Sequence, residues 1–326
     1  MIIKAMTTIA TPQAFIPSAG ALRLSDWGLI RAEGPEAAKF LHGQLTQDFE
    51  LLKEDQARLA GFCSAKGRLM ANLIGWKAGP ETIYLALPLE LLPPILKRLS
   101  MFVLRAKCKL SDATAEQALW GVLGELPEQA GPSARWGKQV TATGATLIRL
   151  PESGADAGAS SPRYLLAQAS DAAAPALAAL DMADWNWLQV QSGLAWVGSA
   201  TAEAFVPQMI NLELLDGVNF KKGCYPGQEV VARSQYRGTL KRRTHLFELA
   251  DGSAEAKPGQ EIFHSLDPEQ PAGLVANVAS RAGHSVLLAE IKIAALEEGT
   301  LHLGAASGPL LTHRALPYEI PLNSEV

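Results

Sequence analysis

Cysteine is scarce in this chain: three among 326 residues, at 63, 108 and 224, far apart and with no C-x-x-C pair. An odd, scattered set argues against a disulfide framework and fits a reducing cytoplasm. Long apolar runs are missing too. Nowhere do about eighteen consecutive apolar residues occur, so no membrane span is expected. The opening MIIKAMTTIATPQAFIPSAG has one lysine and an apolar run broken by Thr, Pro and Gln, unlike a secretory signal. There is no G-x-S-x-G, no Walker loop and no G-x-G-x-x-G opening a helix, which removes the common hydrolase and nucleotide signatures. The six histidines (42, 245, 264, 284, 302 and 313) show no metal-site spacing with cysteines or carboxylates, and each reads as a surface or satisfied histidine.

What is present describes an ordinary globular protein, with 48% apolar and 19% charged residues. The length implies two domains or three small ones. Net charge is −4, but it is unevenly spread. Between 221 and 243, Lys221, Lys222, Arg233, Arg237, Lys241, Arg242 and Arg243 stand against Glu229 alone, a local balance of +6 in an otherwise acidic chain. Such a run is either a solvated face or a surface for an anionic partner.

DWGLIRAEG (26–34) alternates like a strand, and Pro35 suits the first turn of a helix through EAAKFLHGQLTQDF. RLAGFCSAKGRLMANLIGW reads as two strands about a turn at Lys66-Gly67, and TIYLALP (82–88) as a third. Residues 89–102 form an amphipathic helix with a kink or late start at Pro93-Pro94. VLRAKCKL (103–110) returns to a strand. This order is α+β of the split βαβ type. PESGADAGASSP (151–162) reads as an exposed hairpin loop or subdomain edge between the strands TLIRL and RYLLAQA. DAAAPALAALDMADWNWLQVQSG carries two helices. After Arg243, five short strands without helices predict a small antiparallel barrel or sandwich. The expected division is an arm over 1–22, an α+β region of two subdomains over 23–240, and a barrel over 241–326.

Cys224, in KKGCYPGQE, is the cysteine with a reactive context. Lys221 and Lys222 supply cations. Pro226 opens a helix through GQEVVARSQ, placing the thiol before its positive end, where a thiolate is stabilised. Gly223 and Gly227 permit a tight turn and a close approach to a ligand. The rival reading is an ordinary turn in which Cys224 and Tyr225 pack. Cys63 and Cys108 lie in apolar strand patterns and read as inert. Trp27, Trp185, Trp187 and Trp196 flank expected elements and are either core residues or a stacking platform for a planar heterocycle.

FVPQMINLELLDGVNFKKGCYPGQEVVARSQYRGTLKRR (205–243) resembles the signature of the YgfZ family of folate-binding proteins, whose core is K-G-C-[YF]-x-G-Q-E followed by R-x-x-x-(R)-G-x-x-K-R. The pattern is highly specific. DWGLIRAEGPEAAKFLHGQLTQD, CSAKGRLMANL and MFVLRAKCKL match more weakly, in order, so the resemblance covers most of the chain from Leu24 to the barrel. It implies kinship with the aminomethyltransferase T-protein of the glycine cleavage system. The implied fold is ferredoxin-like α+β halves around a central folate channel, with a C-terminal β-barrel. The implied role is tetrahydrofolate-dependent support of iron–sulfur cluster assembly or repair. Loss in the family impairs iron–sulfur enzymes, including one that thiolates tRNA, and this links the family to tRNA modification. Carried over by position, Cys224 is the functional thiol, with Lys222, Gly223, Tyr225, Gly227, Gln228 and Glu229 around it. Trp27 and Trp185 match the two folate-site tryptophans, with Trp187 the alternative for the second.

Two departures matter. Pro226 stands where the family often has Thr or Val and stiffens the turn. Ala71-Asn72 replaces the Asp-Asp pair of the T-protein, removing the carboxylate that aminomethyl transfer needs beside the folate nitrogen. The leading expectation is thus a tetrahydrofolate-binding accessory of iron–sulfur metabolism with transient protein partners, no metal of its own and no membrane association. The rivals are a folate-dependent aminomethyltransferase and an RNA-binding protein using the 221–243 stretch. Direct RNA binding is disfavoured because only Tyr225 and Tyr236 interleave aromatics with the charge.

Overall fold

Strand β1 (Gly20–Arg23) opens the chain of elements and is followed by β2 (Trp27–Glu33), helix α1 (Ala37–Gln44), strands β3 (Ala57–Cys63), β4 (Leu69–Gly79) and β5 (Thr82–Pro88), helix α2 (Leu92–Ser100) and β6 (Lys109–Asp112). The computed structural model describes residues 16–127, 129–154, 161–236, 240–249 and 255–321. The first sheet runs in the order β3-β4-β5-β2-β6, every pair antiparallel. Helix α1 buries Ala37, Phe40 and Leu41, the i, i+3, i+4 stripe expected of a helix covering a sheet. Pro93 and Pro94 fall in the first turn of α2, where a missing N–H is harmless, after one tight turn over Leu89–Leu91.

The second sheet joins β1 to β7 (Gln117–Leu123), β8 (Lys138–Val140), β9 (Thr146–Arg149) and β10 (Arg163–Ala169), in the order β1-β7-β10-β9-β8. Helix α3 (Met182–Gln191) starts at Asp181, whose carboxylate accepts the Ala183 N–H at 2.9 Å. After α4 (Gln228–Tyr236) come six strands: β11 (Arg242–Leu249), β12 (Glu261–His264), β13 (Asp267–Arg281), β14 (His284–Lys292), β15 (Leu301–Leu303) and β16 (Leu310–Arg314). They close a barrel in the order β11-β14-β13-β12-β15-β16. Phe247, Val275 and Leu287 fill its interior. Its outer residues Ala276, Ala279, Val286 and Leu288 join the main core shared by the first sheet, α3 and the barrel. No helix among the described residues is long and apolar enough to cross a membrane.

The α+β architecture with a C-terminal antiparallel barrel is as expected, and several local readings need correction. Helix α1 begins at Ala37, so Pro35 lies in the preceding turn, and it ends at Gln44 because the Thr46 hydroxyl is engaged by Gly61 N–H and Gly217 O. Of 103–110 only Lys109 and Leu110 are strand. The apolar Met101, Phe102 and Leu104 before them are exposed and turn rather than pair. Cys108 therefore precedes β6 instead of lying in it. Residues 171–181 form no helix. Ala21 N–H binds Ala178 O and Leu180 N–H binds Ala21 O, both at 2.9 Å, so this segment lines the edge of the second sheet. Among the described residues the barrel has six strands rather than the expected five, the sixth being β16. The loop after β9 joins paired strands β9 and β10, with 155–160 outside the described residues. Of the expected arm, residues 1–15 lie outside them and residues 20–22 are sheet.

Candidate functional site

Two glycines fix the cysteine loop onto the first sheet. The β3–β4 turn closes through Gly67 N–H to Ser64 O at 2.9 Å, with Gly67 at φ +70°. Gly227, at φ +79°, faces it so closely that a Cβ would lie 2.5 Å from Ser64 O and 2.7 Å from the Gly67 backbone. Two backbones can meet this way only without side chains. Helix α4 then starts at Gln228, so Pro226 lies in the turn ahead of it rather than in its first helical turn. Val231 anchors α4 in the core, and its carbonyl accepts the Gln208 amide at 2.8 Å.

Lys222 points inward. It is 8% exposed and its ammonium donates to Leu45 O at 2.8 Å and to His42 O, the carbonyls at the end of α1. It also lies over the Tyr225 ring, 4.8 Å from the centroid. Burial lowers its pKa to about 8, opposed by the charges of Asp48, Cys224 and Glu50. Tyr225 is buried, and desolvation raises its hydroxyl above the ordinary value. Gly223 rests on the His42 ring, its Cβ position 3.3 Å from Nε2, while His42 Nδ1 is paired with Asp48 at 3.0 Å. Gln228 is half-buried and Glu229 exposed in the first turn of α4, and neither side chain makes a hydrogen bond among the described residues.

Of the three cysteines, Cys224 alone is exposed. Burial pushes the Cys63 thiol up to about 12, and burial raises that of half-buried Cys108, partly offset by a hydrogen bond from the backbone at Glu33. Lys221 is the exposed lysine beside Cys224. The rest of the basic stretch is not one patch. Arg243 is buried in an ion pair with Glu213, and Arg242 pairs with Glu290 at 2.8 Å. With Lys222 turned inward and Arg237 outside the described residues, Lys221, Arg233 and Lys241 remain exposed. No three His, Cys, Asp or Glu side chains converge as metal ligands among the described residues.

The tryptophans lie on separate elements, Trp27 on β2 and Trp185 and Trp187 on α3. Trp27, half-buried at the start of β2, meets Trp196 edge-to-face at 4.8 Å and 81°. Trp196 is framed by two asparagines. Asn277 binds its backbone N–H (2.7 Å) and carbonyl (3.1 Å), and the fully buried Asn72 binds Ala195 O (2.8 Å) and Val197 N–H (2.9 Å). Trp185 is 3% exposed, lies against Gly121 and sits under the Arg163 guanidinium at 5.3 Å. Trp187, two residues on and so on the roughly opposite helix face, is also buried. Its indole N–H and that of Trp196 have no partner among the described residues. Sequence reading did not identify Asn277, although an asparagine inside the apolar run GLVANVAS is the kind of position that marks a buried polar bridge.

No family model matches the chain. Among curated proteins it is 36% identical over 261 residues to the tRNA-modifying protein YgfZ of Edwardsiella ictaluri, covering 73% of this chain and 72% of that one. Against the protein of the same name from Serratia proteamaculans it is 32% identical over 248 residues, 70% of each chain. Against that of Pectobacterium carotovorum it is 27% identical over 318 residues, 92% of this chain and 91% of the other. A solved glycine cleavage system aminomethyltransferase T from Bartonella henselae shares the fold, with a TM-score of 0.72 at 16% identity over 93% of this chain and 86% of that one. With 36% and 32% identity over 70% or more of both partners in each comparison, this chain belongs to the YgfZ family.

Proposed function

We propose that this protein binds tetrahydrofolate and supports iron–sulfur cluster assembly or repair, and through it tRNA modification, with Cys224 as the functional thiol. The observation that carries this reading is that Cys224 alone is exposed, on a loop pinned by Lys222 and by the Gly67–Gly227 contact. The link to tRNA comes from the relatives, which are named as tRNA-modifying. One thiolate cannot hold a cluster, since such sites use about four cysteines, so partner proteins would supply the other ligands. A reduced thiol of this kind belongs to the cytoplasm.

The residues fit a folate. A pterin presents a flat face and hydrogen-bond acceptors. Trp27 offers a half-buried ring, and Trp196 and Trp187 offer buried N–H donors without described partners. The proposed site takes Trp27 with its edge-to-face partner Trp196, and Trp185 or Trp187 from α3. Aminomethyl transfer is the weaker reading, because Asn72 is engaged with backbone on both sides and brings no carboxylate. RNA binding through residues 221–243 is weaker still, with Lys222, Arg242 and Arg243 held internally.

The test is complementation of cells lacking the protein. Cys224→Ser should fold, quench its tryptophans with tetrahydrofolate as the wild type does, and fail to restore iron–sulfur enzyme activity. Cys63→Ser and Cys108→Ser should restore it. Rescue by Cys224→Ser would remove the thiol from the mechanism, and unchanged folate affinity in Trp27→Ala would remove Trp27 from the site.

A further inference from the structure

Beside the cysteine loop lies a half-open cavity of about 680 Å³, within the size range of small-ligand sites. It does not include Trp27, Trp185, Trp187 or Trp196 in its lining, so it is separate from the proposed folate site. Four stretches and Gln47 build it: residues 55–58 at the start of β3, the turn at 134–137, the segment 213–221, and the last turn of α4.

The walls are braced before any ligand arrives. Trp136 Nε1–H donates to Leu215 O at 2.9 Å, Ala57 N–H to Trp136 O at 2.8 Å, and the Gln47 amide to Asp216 O at 2.6 Å. Rigid walls lower the ordering cost of binding. At one end, Phe220 and Tyr236 form an edge-to-face pair with centroids 5.8 Å apart, and Tyr236 is 54% exposed.

The charges do not all cancel. Among the lining carboxylates, Asp216 is paired with Arg135 at 2.7 Å and Glu213 with Arg243. Asp55 is the one lining carboxylate, and Arg58 and Lys221 are the lining cations, without an ion pair among the described residues. Among the described residues Arg58 makes one long hydrogen bond, to Leu51 O at 3.4 Å, and its charge also helps to lower the Asp48 carboxyl from its ordinary value. Gln56 and Gln235 add amides, the groups that read the edges of bases. An aromatic end, amides and two unpaired cations together match a planar heterocycle that carries an anionic group.

We propose that this cavity is a nucleoside-monophosphate site. The base lies against Phe220 and Tyr236, Gln56 and Gln235 contact its edge, and Arg58 and Lys221 take the phosphate. Lys221 is three residues from Cys224, at most about 11 Å of chain, so the bound nucleotide sits near the exposed thiol. This goes beyond the folate reading and does not depend on it.

The experiment is calorimetric titration of the full chain with AMP, GMP, CMP and UMP, repeated on Arg58→Gln and Tyr236→Ala. At least one nucleotide should bind at sub-millimolar Kd and weaken about tenfold in each variant, the scale of one lost stacking or phosphate contact. Tetrahydrofolate binding should be unchanged in both variants, which separates this proposal from the folate reading. Displacement of the mononucleotide by purified tRNA identifies a strand as the source, and lack of displacement identifies a free nucleotide. The proposal is overturned if neither mononucleotide nor tRNA binds in a way that either substitution weakens. It is equally overturned if tetrahydrofolate competes with the mononucleotide, because the cavity then belongs to folate.

Discussion

Around Cys224 the candidate residues are neighbours in sequence, and what holds them is backbone laid on backbone at Gly67 and Gly227. Around Trp27 the pieces come from four distant places. Rings 27 and 196 meet because Asn72 on β4 and Asn277 on β13 hold the segment between them by its main chain. The loop tolerates no added atoms at its contact, whereas the corner tolerates no lost hydrogen bonds. The same protein thus builds one candidate site by removing side chains and the other by burying polar ones.

The sharpest way to break the loop is to add a single carbon. Gly227→Ala forces a left-handed φ on an L-residue and drives Cβ into Ser64 O and the Gly67 backbone, none of which is a flexible side chain. Strain and overpacking together should cost about 3–5 kcal/mol. Chemical denaturation gives the value. A loss below about 1 kcal/mol would mean that the loop is not seated on the β3–β4 turn.

The corner breaks by a smaller amount. Asn72→Ala leaves Ala195 O and Val197 N–H buried without partners, at about 2–3 kcal/mol. Asn72→Asp is the informative companion. It can still accept from Val197 N–H, but its other oxygen faces the Ala195 carbonyl, so the acid should be no better tolerated than alanine. Both substitutions should shift Trp196 fluorescence and leave Cys224 alkylation unchanged. An Asn72→Asp protein as stable as wild type would reopen the transferase reading.

These contrasts explain how much was legible in the sequence. K-G-C-Y-P-G-Q-E announces itself because its residues are consecutive in the chain, although its contacts reach back to α1 and the β3–β4 turn, and α4 is read from the Pro226 turn ahead of it. The barrel shows in short alternating strands, since one face of each fills a closed interior. In the sequence Lys222 reads as a cation for Cys224, and nothing there says that its amine also turns to the end of α1. The basic stretch looked like a surface because composition does not reveal Glu213 and Glu290 waiting beneath Arg243 and Arg242. Residues 103–108 and 171–181 read as strand and helix but form neither, for one reason: apolar or alanine-rich composition records propensity, not what lies across from the backbone. Trp196 as the partner of Trp27 depends on pairings hundreds of atoms away in the chain.

The smallest effect separates the two regions by pH, because the loop has a buried titratable pin and the four residues of the corner have none. Lys222 has a folded-state pKa of about 8, below its ordinary 10.5, because burial disfavours the charge. Below pH 8 it is charged both folded and unfolded, and the folded state bears the full desolvation cost. As pH rises from 8 to 10.5 the folded form releases its proton first, so the protein gains stability over that window. The charge-assisted hydrogen bonds to Leu45 O and His42 O favour the ammonium and hold the gain to about 1 kcal/mol. Lys222→Gln keeps a donor for the α1 carbonyls and cannot titrate. The stability of wild type relative to Lys222→Gln should therefore rise between pH 8 and pH 10, measured by denaturant midpoint, while Trp196 fluorescence stays constant in both. A difference that is flat with pH would show that Lys222 carries no buried charge and that the loop is pinned by its glycines alone.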